Sequence, residues 1–373
     1  MLVSQPQICR LYKSMQRIKE DVLKKIISFL VILIITIFLF EFSVRVAQKF
    51  NIGDFNSPHQ YAFHLCDDLF WILQRYLNNQ PIVLFQKRTV YQSTKATDHF
   101  INYTRDLQLG YTVMKDPTKN PLGIIKSDQK KLLENTRKII FLGDSMIAGE
   151  TIIENTITEK MEQKLDNVQV LNYAVPGYGL GQIYIRFKNI YQKFPESLFL
   201  FGIFDDDINR IFLSFRGTPK PTFTLTDHGE IKIIPIRSID YYKKQIPLFF
   251  CYHFIRHQYH RFIRSHTDRC NNNTQKKQMV YAILKNIQSL LGKKINRMGI
   301  VVFSYGLENE RELINQAAIE LNIPVIDISH ELTKNPVYRY DDLFSNTNHP
   351  NQLGNEEISK LIVNFIDSNF DIK

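Results

Sequence analysis

The chain has 373 residues, 44% of them hydrophobic and 23% charged, which is ordinary globular composition and excludes wholesale disorder. Its net charge of +10 is concentrated in residues 1–25, with six basic residues against Glu20 and Asp21, and in residues 241–300, with twelve against Asp268 alone. The rest of the chain is net acidic, so a uniformly basic nucleic-acid binder is excluded.

In chain order, the basic segment 1–25 leads into Ile26 to Phe40, "IISFLVILIITIFLF", an uncharged run whose apolar character resumes at Phe42 and Val44. That is about the 20 residues needed to cross a hydrocarbon core. No small-x-small cleavage site ends it, as a signal peptide would require. The expectation is a single transmembrane anchor over 26–46, with membrane lipid as its partner. The basic flank places the N-terminus in the cytoplasm and the rest of the chain outside the membrane, in a periplasm-like compartment.

Residues 47–136 are weakly patterned and read as a stalk or accessory region packing on a main domain. "DDLFWILQRYLN" (67–78) has helical spacing, "QPIVLFQKRTVY" (80–91) reads as strand, and "MKDPTKNPLG" (114–123) reads as loop. The four cysteines, Cys9, Cys66, Cys251 and Cys270, are too few for a disulfide scaffold, and no Cys-x-x-Cys pair suggests zinc. Whether Cys251 and Cys270 pair is left open.

From residue 137 apolar strands alternate with amphipathic helices. Strands are expected at 138–142, 168–172, 198–202, 299–305 and 324–328, and helices at 156–165, 181–193, 276–293, 308–321 and 352–370. This pattern predicts a three-layer α/β/α, flavodoxin-like domain over 137–373, with a parallel five-stranded sheet. Between strands three and four, residues of about 210–280 form an insertion. It opens with a β-hairpin over 222–236, turning at Asp227-His228-Gly229. In its basic part, "CYHFIRHQYHRFIRSHTDRC" (251–270), His253, His257 and His260 share helical spacing. No acidic residue joins them before Asp268, and Arg256, Arg261 and Arg264 oppose a cation, so no metal site is expected. The segment reads instead as a surface for anionic lipid or polyanion, or as a solvated basic helix.

Ligands bind such sheets beyond the carboxyl ends of the strands. Four stretches end up there: "FLGDSM", with Ser145 at a strand-to-helix turn; "NYAVPGYG", with Gly177 in a glycine-rich turn; "FGIFDDDINR", ending in Asp205-Asp206-Asp207; and "NTNHPNQLGN", with His349 just ahead of the last helix. Serine and histidine are the residue types of nucleophilic acyl transfer, and glycine lets backbone N–H groups approach an oxyanion.

In this order the stretches resemble the SGNH (GDSL-type) hydrolase family over roughly 137–370, and the single helix and stalk look like its membrane-anchored branch. The resemblance implies Ser145 as nucleophile, His349 as base and Gly177 as an oxyanion donor, with no metal and no nucleotide cofactor. Two positions depart from the pattern. Asp206 stands where the family has an oxyanion-hole asparagine, and loss of such a donor costs about a hundred- to a thousand-fold in rate. Asn209 is the substitute donor to consider. Asn346 stands where the family has the aspartate that orients the histidine, with Asp341 and Asp342 as the nearest carboxylates; a comparable change in another triad enzyme cost about ten-thousand-fold.

The function expected is an esterase or deacylase acting on an acyl ester of an envelope glycan or lipid. The same acyl-serine would serve O-acyl transfer to a glycan hydroxyl. Asp206 and Asn346 also leave open a non-catalytic envelope-assembly or glycan-binding protein.

Overall fold

The computed structural model describes residues 27–40, 42–43, 103–113, 115, 120–126, 136–149, 152–214, 219–237, 273–304, 307–334, 337–345 and 348–371. The chain divides into two compact units, one of residues 1–58, 77–79 and 246–267, the other of residues 59–76, 80–245 and 268–373.

In the first unit, residues 27–40 and 42–43 are helical and all exposed. Thr36 Oγ1 donates to Ile32 O and Ser43 Oγ to Leu39 O, so both hydroxyls are satisfied within the helix. Among the described residues no helix is long and apolar enough to cross a membrane. The expected span 26–46 is described only over these residues. The expected helix 67–78, the expected strand 80–91, all four cysteines and the basic histidine stretch 251–270 lie outside the described residues.

The second unit is built on one parallel sheet. Its strands are β3 (Arg137–Leu142), β4 (Val168–Asn172), β5 (Leu198–Phe204), β8 (Met298–Phe303) and β9 (Val325–Asp327), side by side in the order β4-β3-β5-β8-β9. Ile139 pairs with Val170 on one side and Leu198 on the other, Phe201 with Ile300, and Val301 with Ile326. Every residue of β4 and β8 is buried, because helices cover both faces and leave no solvent side for alternation.

Helix α2 (Ile157–Glu162) packs with the C-terminal helix α9 (Gln352–Asn369), and α3 (Leu180–Ile190) packs with α5 (Asn273–Leu291), which also packs on α6 (Glu308–Glu320). Phe187 of α3 meets Phe199 and Phe201 of β5 edge-on at 5.1 and 5.4 Å. Aromatic pairs in this geometry add to the area they bury. The expected five strands and five helices are all present, with ends shifted by a few residues. Short helices α1 (Ser145–Ala148), α4 (Asp206–Arg210), α7 (Ile328–Thr333) and α8 (Tyr340–Leu343) lie in stretches too brief for periodicity to register.

Some of the described residues of the expected stalk are core. β1 (Tyr103–Asp106) and β2 (Gly110–Val113) form an antiparallel hairpin, whose turn is held by Asp106 Oδ1 accepting from the N–H groups of Gln108 and Leu109. Leu109, Val113, Ile124 and Ile125 are buried, and Ile125 bridges Asn172 on the outer edge of β4. Arg186 of α3 fastens this segment down, donating to Gly123 O at 2.9 Å, Thr112 Oγ1 at 2.5 Å and Tyr173 O at 2.6 Å.

The hairpin expected within the insertion is β6 (Thr222–Leu225) paired antiparallel with β7 (Ile231–Ile234). Its turn includes Gly229 at φ +76°, a conformation that glycine adopts without strain. Phe223 seats it on α3 against Gly181, where a Cβ would come within 2.2 Å of the ring.

Candidate active site

Strand order reverses between β3 and β5, so the loops leaving their carboxyl ends diverge and open a crevice. β3 delivers Asp144 and Ser145 there. Asp144 caps α1, its Oδ1 accepting from Met146 N at 2.9 Å, which turns the chain sharply and brings Ser145 to the first helical position. Gly143 permits the turn: a Cβ would lie 2.8 Å from Ile147 Cγ1 and 2.9 Å from Gly202 O.

The loop after β4 runs beside it. Tyr173 N donates to Phe141 O and Val175 N to Gly143 O, so the pairing of β3 with β4 continues past the strand ends. Gly177 follows two residues later at φ +79°, with Tyr111 Oη 2.7 Å from where its Cβ would be. Tyr111 also donates to Pro176 O, and Tyr178 Oη donates to Tyr111 O. Burial pushes the Tyr178 phenol far above its ordinary range, consistent with a fixed, neutral donor. Asn172 ties the two loops together. Its Nδ2 donates to Ile147 O at 2.9 Å and Thr158 Oγ1 at 3.1 Å, while Oδ1 accepts from Ala174 N.

His349 arrives from the far end of the sequence. Ser345 N donates to His349 O and Asn348 N to Ser345 O, with Asn348 at φ +61°, closing a tight turn. Phe344 bridges Pro350, and Asn351 caps α9 by accepting from Gly354 N at 3.0 Å. The imidazole presented this way sets Nε2 2.8 Å from Ser145 Oγ. Both side chains are partly buried. Of the expected site residues, Ser145 and His349 are therefore in hydrogen-bond contact, and Gly177 occupies the neighbouring loop.

Asn346 lies outside the described residues. Asp342 is engaged elsewhere: its carboxylate accepts from Arg339 N at 2.8 Å as part of the α8 cap, and both Asp341 and Asp342 are exposed.

Asp206 is buried and bound to Arg210, whose Nε donates to Asp206 Oδ2 at 2.7 Å. The negative charge at the position that the resemblance gives to an asparagine amide is thus met by a guanidinium. Asp207 accepts from Arg210 Nη1 at 2.7 Å and from Phe204 N at 3.0 Å. Asp205 Oδ2 instead accepts from Ser304 Oγ and Leu307 N, bracing the end of β8. Asn209 is buried within α4.

One cation among three buried carboxylates sets the electrostatics. Burial, then the neighbouring Asp144 charge, pushes the Asp207 carboxyl well above the usual range against the pull of Arg210. Burial pulls Arg210 down, but Asp206, Asp207 and Asp144 outweigh it and hold the guanidinium charged.

Arg210, Tyr111 and Asn172 were not singled out by residue type and spacing. For Arg210 the available signal was its place, three and four residues after Asp207 and Asp206, where helix geometry puts the three side chains together. Tyr111 carried no such signal, because its contacts cross from a separate hairpin. Among the described residues no group of three His, Cys, Asp or Glu side chains is arranged to hold a metal ion.

No family model matches the chain, and no curated protein matches it. Solved structures similar to it include a lipase/acylhydrolase, an esterase and lipolytic proteins of the G-D-S-L family. A lipase/acylhydrolase from Enterococcus faecalis is 16% identical, with 64% of this chain and 98% of that one covered and a TM-score of 0.38. A G-D-S-L family lipolytic protein from Veillonella parvula is 16% identical over 63% and 98%, at a TM-score of 0.36. The psychrotrophic esterase EstA from Pseudoalteromonas sp. is 12% identical over 62% and 97%, at 0.38. Identities this low transfer no residue roles, so the chemistry rests on this chain's own geometry.

Proposed function

We propose that the protein is a serine esterase or deacylase acting on an acyl ester. The observation that carries the proposal is the 2.8 Å contact between His349 Nε2 and Ser145 Oγ, at the crevice where strand order reverses. Ser145 Oγ attacks the ester carbonyl carbon while His349 Nε2 takes the hydroxyl proton. The N–H groups of Ser145 and Gly177 receive the oxyanion. Collapse of the tetrahedral intermediate breaks the ester C–O bond, and His349 returns its proton to the departing alcohol. A water, deprotonated by His349, then cleaves the acyl-serine and releases the acid.

Membrane anchoring through 26–46, an extracytoplasmic catalytic unit and an acylated envelope glycan or lipid as substrate belong to the same proposal. They are supported by the basic flank, by the uncharged run and by the outward-facing Phe29, Ile32, Phe38 and Leu39 of the N-terminal helix. The deciding experiment treats the full chain in membranes with a fluorophosphonate probe. Covalent labelling that Ser145→Ala abolishes is expected; equal labelling of the Ser145→Ala protein removes the proposal.

A further inference from the structure

We propose that Arg210 is a positioning residue that locks three loops of the site into one floor, an inference that rests on the serine-hydrolase reading. Its guanidinium touches each loop at the residue beside the one that matters. Nη1 donates to Asp144 Oδ2 at 2.8 Å, next to Ser145, and to Tyr178 O at 2.9 Å, next to Gly177. Nη1 also reaches Asp207 and Nε reaches Asp206, at the end of β5. Nη1 has two hydrogens for three acceptors, so at least one hydrogen is shared between two of these segments. The planar fork suits this task, whereas a lysine presents one compact charge.

Arg210 is itself held. Lys220 Nζ donates to Arg210 O at 2.6 Å, and Gly179 packs so closely that a Cβ there would lie 2.5 Å from Arg210 Cβ. The Arg210 side chain is 6% exposed, so its polar groups are engaged with the protein rather than with solvent. Stability alone is a weak reason for such a cluster, since well-packed apolar side chains replace buried ion networks at no loss or with a gain. What the cluster supplies is fixed geometry between chain segments that are distant in sequence.

There is a direct consequence at the nucleophile. Asp144 Oδ2 lies 3.3 Å from Ser145 Oγ as well as 2.8 Å from Arg210 Nη1. A carboxylate oxygen bound to a guanidinium is a weaker acceptor for a second donor. Ser145 Oγ donates to that same oxygen, so Arg210 weakens Asp144 as a competitor of His349 for the serine proton, and loss of the guanidinium strengthens that competitor.

The test compares full-length wild type, Arg210→Lys, and the triple variant Arg210→Gln/Asp206→Asn/Asp207→Asn, which removes two buried acids together with the cation. Urea unfolding, fluorophosphonate labelling, kcat and KM on a short aryl ester, and amide hydrogen exchange at 145–148 and 176–179 are measured. The triple variant is expected to unfold cooperatively but to label roughly a hundredfold more slowly, the usual cost of an ångström-scale misplacement. Its kcat falls while KM stays within about threefold, and exchange quickens in both loops. Arg210→Lys, which keeps the charge and so preserves the fold, changes in the same direction by less. Labelling and exchange at wild-type rates in the triple variant, or in Arg210→Lys should the triple variant not fold, overturn the inference. A wild type that does not label sinks the hydrolase reading instead; loop exchange then still decides whether Arg210 locks the floor.

Discussion

His349 Nε2 lies 2.8 Å from Ser145 Oγ although 204 residues separate the two in sequence. The contact depends on β3 ending at the crevice and on a turn ahead of α9 that returns the chain to the same rim. If this pair performs the chemistry, either member alone is indispensable. Ser145→Ala and His349→Ala are each expected to lower kcat on an aryl ester by about a million-fold, as in other serine–histidine enzymes, while the urea midpoint stays near wild type. Steady-state kinetics beside an unfolding curve checks both halves.

The delivery of His349 depends on Gly354. A Cβ at that position would lie 2.0 Å from Leu343 O, a backbone atom that cannot rotate away. Gly354→Ala is expected to push α9 and its preceding turn outward, slowing serine labelling by roughly a hundredfold through misplacement of the base. Gly292→Ala, also on the second unit but with nothing within 4 Å of the added carbon, is the control for a general glycine effect. It sits at φ +56°, so a modest loss of stability without loss of labelling is its expected outcome.

Lys126 ties the segment ahead of the sheet to α2. Its Nζ donates to both oxygens of Glu162 at 2.8 and 2.7 Å, and Glu162 Oε2 also accepts from Val170 N. Lys126→Met leaves that carboxylate without its cation in a largely buried setting, with an expected loss of about 3 kcal/mol. Equilibrium urea unfolding measures it, and the labelling rate of the remaining folded protein should be unchanged.

Asp207 gives a pH signature. Its carboxyl is raised in the fold above its unfolded value, so the folded state holds the proton more tightly than the unfolded chain does. Its contribution is therefore fully present below the ordinary aspartate pKa of about 4 and is lost as pH rises through the raised value. Relative to Asp207→Asn, wild type is expected to lose stability with rising pH over that window, by at most about 1.4 kcal/mol per pH unit. Urea midpoints taken from pH 4 upward for both proteins test this. The amide's imperfect match to the donors at Arg210 and Phe204 adds a constant offset and leaves the slope intact.

For the anchor, the full chain is expected to remain in the membrane pellet after alkaline carbonate extraction. Leu33→Arg/Ile35→Arg is expected to release it, since each charge at a span centre costs about 2.5–3.5 kcal/mol. Retention of the double variant in the pellet argues against a span at 26–46.

Much of the second unit was legible because its strands are short apolar runs between amphipathic helices, a pattern that a two-sided parallel sheet requires. Ser145 and His349 were legible as candidates because each stands at a turn beside such an element, in stretches that together, and in that order, resemble one family's motifs. The expected stalk was harder. Leu109, Ile124 and Ile125 lie in stretches without sustained period, and only their burial against β4 and α3 shows that they belong to the core.

Asp206 divides what the two levels of structure decide. By itself the sequence determined that a carboxylate follows β5 and that an arginine follows it four residues later, because covalent order and helix spacing are local properties. Helix spacing also brings that arginine to the carboxylate, so the Asp206–Arg210 pair is local as well. What tertiary structure decided is that the same guanidinium reaches Asp144 and Tyr178 on two other loops, since charges interact through space and only folding sets those distances. The Ser145–His349 contact belongs to the same class: residue types name the chemistry, and the packing of β3 and α9 brings the two atoms together.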